Sequence, residues 1–193
     1  MNPKIELFND TGSSEEERTL LVAIKDLSRF KPNLQLDHYE GNFISALKNK
    51  MGNPNNIDLD RFINLAYTKE QFSYATQKIV LLNEPLYQND RLMDGLTRQR
   101  TPQFNCHSYQ QTIILSNARN LSQDEFYAVC SHELGHAYGA TNRRHDITSD
   151  DKRHCTINKC VMRYPAFNNL TSLRRKQGLS VYCPKCEDGI KNF

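Results

Sequence analysis

The segment His132-Glu133-Leu134-Gly135-His136 constrains this chain more than any other, because its flanks leave little alternative to an α-helix. Upstream, Leu121-Ser122-Gln123-Asp124-Glu125 offers a Ser N-cap with a Glu three residues on; downstream, Gly139 suits the position just past a helix end. A helix is therefore predicted from about Gln123 to Tyr138. Residues four apart lie on one helix face, so His132 and His136 present two imidazoles to a common point. Imidazole nitrogen is a standard zinc ligand at ~2.0–2.1 Å. Glu133 lies beside the first of them, where a carboxylate can take a proton from an activated water and pass it to a leaving amine. The segment reads as a zinc site with Glu133 as general base. A catalytic zinc takes three protein ligands and leaves a fourth position open. Gly139 fits the extended HExxHxxGxxH arrangement, but Asn142 stands where that arrangement has its third His. His145 and His154 follow, and residue type alone does not choose between them.

Four of the six cysteines fall after residue 150. Cys155 and Cys160 form a CxxxxC pair, Cys183 and Cys186 a CxxC pair, and together they can wrap one tetrahedral zinc with thiolates at ~2.3 Å. Such a site is structural and closed to water. Disulfides are the competing use, disfavoured because Met1-Asn2-Pro3-Lys4-Ile5-Glu6 lacks the basic start and apolar run of an export signal. The expected location is cytoplasmic. No stretch approaches the ~18 apolar residues of a membrane span. A net charge of +3 with pI near 8.5, without aromatics interleaved among basic residues, argues against a nucleic-acid partner. Arg174, Arg175 and Lys176 are read as a solvated helix face.

Upstream of the histidines, Lys4–Phe8 is predicted as a strand, and Ser14-Glu15-Glu16-Glu17 as a capping box opening a helix with Leu20, Leu21, Ile24 and Leu27 on one face. Alternation over Asn33–His38 predicts a second strand. Helices are expected around Phe43–Met51 and Leu59–Phe72, buried strands at Ile79–Leu82 and Thr112–Leu115, and a less buried one at Leu92–Leu96. The fold class is α+β, of α/β-type: a twisted mixed sheet of about four to five strands backed by helices, then the histidine-bearing helix. At 193 residues a single domain is expected, with an N-terminal subdomain over 1–140 and a polar, cysteine-bearing C-terminal subdomain over 141–193.

Taken together, His132-Glu133, His136, Gly139, His154-Cys155, Cys160-Val161-Met162 and the pair Cys183 and Cys186 resemble the archaemetzincins, a metzincin-type group of zinc metallopeptidases whose pattern runs HExxHxxGxxHCxxxxCxM and closes on CxxC. The resemblance covers residues 122 to 186. The chain departs from it in two longer stretches, between Gly139 and His154 and between Met162 and Cys183. The resemblance implies that His132, His136 and a third His hold a catalytic zinc, with His154 favoured because it directly precedes Cys155, and His145 as its rival. It further implies Glu133 as base, Met162 as the Met-turn beneath the metal, and Cys155, Cys160, Cys183 and Cys186 around a second zinc, two per chain. Such enzymes have an edge strand able to pair with an extended peptide, here placed at Met93–Leu96. The expected activity is hydrolysis of a peptide or protein substrate. The alternative, from another class, is a catalytically inactive zinc-binding interaction protein built on the four-cysteine knuckle. Tyr164 is read as a packed aromatic near the Met-turn, Cys130 as a buried free thiol, and Cys106, His107 and His38 as unrelated to the metal.

Overall fold

The computed structural model describes residues 4–32, 34–39, 43–52, 55–67, 77–100, 110–141, 154–163 and 169–193. In chain order these form β1 (Lys4–Asn9), α1 (Ser14–Leu27), β2 (Gln35–His38), α2 (Phe43–Met51), β3 (Ile57–Asp58), α3 (Leu59–Tyr67), β4 (Gln77–Leu82), β5 (Leu86–Gln88), β6 (Arg91–Met93), β7 (Gly95–Arg100) and β8 (Gln110–Ser116). After them come α4 (Gln123–Ala137), α5 (Asn169–Lys176) and α6 (Pro184–Lys191). The chain divides into two compact units, one of residues 1–16 and 35–120, the other of 17–34 and 121–193.

The first unit is built on a five-stranded mixed sheet in the order β2-β1-β4-β8-β7. β1, β2, β4 and β8 run parallel, and β7 closes one edge antiparallel to β8. β4 is central and its residues Ile79 to Leu82 are fully buried, which is why it reads as a continuous apolar run rather than an alternating one. Phe8, Val80, Leu82 and Ile114 line the face that packs on Ile44 and Leu47 of α2 and Phe62 of α3. Lys78 is buried as well, with Glu6 opposite it in the β1 register. Burial holds its ammonium down to about 8, against the pull of Glu6.

Two local readings are corrected. Met93-Asp94-Gly95-Leu96 is not one strand: β6 ends at Met93 and belongs to a small sheet ordered β3-β5-β6, while β7 starts at Gly95 and is the edge of the large sheet. Asp94 makes the break, its carbonyl accepting from the Ser116 N–H at 2.8 Å and its carboxylate paired with Arg119. The α1 cap is Ser13 rather than Ser14, with Ser13 Oγ accepting from the Glu15 N–H at 3.3 Å. β5 and β6 are joined through Asn89 and Asp90, both at positive φ, as a two-residue hairpin turn demands. Residues 68–72, expected to extend α3, lie outside the described residues.

In the second unit α4 is buried nearly all round, from Phe126 to Gly135 without a break. A helix so placed is a core element, not a surface one. Its start is the predicted capping box: Ser122 Oγ accepts from the Glu125 N–H at 3.4 Å, and the Glu125 carboxylate accepts from the Ser122 N–H at 2.9 Å. Its end is a Schellman turn, with Gly139 N–H donating to His136 O, Ala140 N–H to Gly135 O, and Gly139 at φ +75°. The basic cluster on α5 is tied down: the Arg175 guanidinium lies 4.2 Å over the Tyr127 ring, and Arg174 donates to the Ser180 carbonyl at 2.6 Å. Among the described residues no helix is long and apolar enough to cross a membrane.

Candidate functional site

Both groups of expected metal ligands lie in the second unit. α4 delivers His132 and His136 one turn apart, with Nε2 atoms 3.0 Å from each other. A tetrahedral zinc at ~2.0–2.1 Å from each nitrogen requires a separation of about 3.3 Å, so the two can share one ion after a shift of a few tenths of an ångström. His154, from the turn that follows the undescribed stretch 142–153, closes the set. Its ring centroid stands 5.3 Å from each of the other two, and the three histidines offer ligand atoms within 4.8 Å of one another.

The tautomer of His132 follows from its partner. Nδ1–H donates to the Val161 carbonyl at 2.8 Å, and a carbonyl can only accept, so the proton is on Nδ1 and the Nε2 lone pair faces the site. Burial, and then the neighbouring His154, push this imidazole down to about 4, against the effect of the carbonyl. It is neutral at physiological pH, as a ligand must be. Glu133, next along the helix, is buried too.

The cysteine cluster fits a metal equally well. Cys155, Cys160, Cys183 and Cys186 are buried, unpaired as disulfides, and have ligand atoms within 4.8 Å of one another. Sγ of Cys155 is 3.9 Å from Sγ of Cys183, and Cys160 is 3.7 Å from Cys186. Four thiolates at ~2.3 Å from one zinc stand about 3.8 Å apart, whereas a disulfide needs ~2.05 Å. Backbone N–H groups already point at two of the sulfurs, Ile157 at Cys155 (3.4 Å) and Cys183 at Cys160 (3.3 Å). Cys183 occupies the N-cap position of α6, without a side-chain capping bond, and Cys186 lies in its first turn, where the helix dipole favours negative charge. Hydrogen bonding inside the cluster, from Cys155 first, draws the Cys183 thiol below its ordinary range, and pushes Cys186 above it.

No protein-family model and no curated protein matches this sequence. Among solved structures, the archaemetzincin from Methanopyrus kandleri superposes with a TM-score of 0.60 at 16% sequence identity, covering 99% of this chain and 94% of that one. The chain has an archaemetzincin fold.

On this archaemetzincin-like frame, His132, His136 and His154 converge in one place and the four cysteines in another. His145, Asn142, Tyr164, Cys106 and His107 lie outside the described residues. His38 is exposed on β2 of the first unit. Cys130 is fully buried in α4, and burial drives its thiol well above the ordinary range, so it is inert. Met162, expected beneath the metal, is fully buried with its sulfur against Gly135. A Cβ at residue 135 would collide with that sulfur and come within 3.0 Å of the Tyr182 ring.

Sequence reasoning missed three participants: Gly135 as a point of close approach, the Val161 carbonyl, and Tyr182. A signal existed for the first, since a glycine inside a helix costs about 1 kcal/mol relative to Ala and needs a packing reason. The carbonyl has no side-chain signature, and nothing in the sequence aims Tyr182 at α4.

Proposed function

We propose that this chain is a zinc-dependent peptidase whose metal is held by His132, His136 and His154, with Glu133 as general base, and whose four cysteines hold a second, structural zinc. The observation that carries it is the convergence of three imidazoles from two separate chain segments beside Glu133 on a buried helix. A zinc in that position supplies Lewis acidity and lowers the pKa of a water toward ~7. The residues do the rest. Val161 holds His132 in the ligating tautomer. Glu133 accepts the proton of the attacking water and delivers it to the amine released from the peptide. Burial of Glu133 and of the His132 ring keeps competing water away from both. The substrate class is a peptide or protein chain.

Glu133→Gln tests the reading. The variant keeps two zincs per chain and loses turnover of a mixed peptide library; full activity in a clean preparation would overturn it. Metal analysis of the wild type separates the peptidase from an interaction knuckle, since the former holds two zincs per chain and the latter one.

A further inference from the structure

Three of the four cysteines are chain neighbours of a residue that belongs to the histidine site or touches it. Cys155 follows His154 directly. Cys160 precedes Val161, whose carbonyl accepts from His132, and then Met162, which lies against Gly135. Cys183 follows Tyr182, a fully buried residue whose hydroxyl donates to the Ser131 carbonyl at 2.6 Å and whose ring faces Gly135. Ser131 and Gly135 are the residues immediately before His132 and His136. Tyr182 therefore grips α4 one step ahead of each of its two imidazoles.

Among the described residues the two cysteine loops meet at their sulfurs, with Cys155 Sγ 3.9 Å from Cys183 Sγ and Cys160 Sγ 3.7 Å from Cys186 Sγ, and along one backbone bond. Val161 N–H donates to the Val181 carbonyl at 2.9 Å, and Cys183 N–H points at the Cys160 sulfur. Cys155 N–H donates to Met162 O at 2.9 Å, closing the first loop on itself. A metal spanning Cys155, Cys160, Cys183 and Cys186 would lock the two loops in one arrangement. That arrangement places the carbonyl that orients His132, the His154 imidazole, and the Tyr182 hydroxyl.

We propose that the cysteine cluster organises the histidine site: a metal held by the four thiolates sets the metal affinity of the histidine triad, and Tyr182 is the positioning residue that transmits its grip to α4. The inference rests on the two-zinc reading above and adds a dependence of one site on the other. Groups that orient metal ligands typically change metal affinity ~10–100-fold when removed.

The test starts from the holoprotein. The histidine site is emptied by mild chelation, the cysteine site keeps its zinc, and cobalt(II) is titrated in, its visible absorption distinguishing imidazole from thiolate coordination. Tyr182→Phe keeps the ring and removes only the hydroxyl. It should bind cobalt at the histidines about ten-fold more weakly than wild type, with the cysteine zinc still counted by metal analysis. A Cys183→Ser/Cys186→Ser protein, checked for native far-UV circular dichroism, should lose at least as much; if it does not fold, the tyrosine variant decides alone. Cobalt affinity within two-fold of wild type in Tyr182→Phe, even with a lowered unfolding midpoint, would leave the tyrosine a merely structural residue and overturn the proposal. A wild type that takes no cobalt at imidazole would instead sink the peptidase reading itself.

Discussion

Replacing Gly135 with Ala sets two known effects against each other. Inside a helix the change alone favours folding by about 1 kcal/mol. Against it stands the space: the new methyl would collide with the Met162 sulfur, meet the Met162 methyl at 3.2 Å and the Tyr182 ring at 3.0 Å. Met162 and Tyr182 are both fully buried, and Tyr182 is further held by its bond to Ser131, so neither can retreat into solvent. Overpacking of this kind costs ~1–3 kcal/mol, so the net change is a loss of about 0–2 kcal/mol, with weakened metal binding at the histidines. A double-mutant cycle isolates the collision. Met162→Ala alone should cost ~2–5 kcal/mol through the cavity it leaves. In that background the collision with residue 162 is gone and Gly135→Ala should stabilise, giving a coupling of at least ~1 kcal/mol between the two positions. Urea unfolding of the four proteins measures it. Additive effects, or a Gly135→Ala protein more stable than wild type, would show that the close approach of Met162 to α4 does not exist in solution.

Ser122→Ala removes the hydroxyl that accepts from Glu125 N–H and should lower the urea midpoint by an amount worth ~1 kcal/mol; no change would mean the capping box is not formed. Gly189→Ala would place a methyl 2.6 Å from the Ala140 carbonyl and 2.8 Å from that of Gly139, backbone atoms that cannot step aside, so it should destabilise despite its better helix propensity. The pH response of protein with an empty histidine site follows from His132, held down to about 4 against an ordinary 6.5. Below pH 6.5 the unfolded chain binds a proton the folded one refuses. Stability is therefore complete above pH 6.5 and falls by about 3 kcal/mol as pH drops toward 4. His132→Gln should flatten that limb of the stability curve, and an unchanged slope would refute the assignment.

The local chemistry of this protein was legible from the chain. The capping box at Ser122 and Glu125, the Gly139 terminus, the one-turn spacing of His132 and His136 and the two close cysteine pairs are set by short-range rules. Each involves residues within a turn or two of one another. The parallel strands read well for the same reason, as Ile79–Leu82 and Ile113–Leu115 are apolar and buried along their whole length. Where a polar residue bends the chain, as Asp94 does between β6 and β7, reading failed, because its partners Arg119 and Ser116 are remote in sequence.

What tertiary structure decided is the company the HExxH helix keeps. Residue type left the third imidazole open, since a loop of any length can return a histidine at modest entropic cost; the fold brings His154 to His132 and His136. The Val161 carbonyl and the Tyr182 hydroxyl are backbone and aromatic groups with no local signature, and the fold brings one to the His132 ring and the other to the Ser131 carbonyl of α4. Sequence alone determines which residues can bind metal and on what helix. Only packing determines that the turn carrying Cys160 also presents the Val161 carbonyl that orients His132.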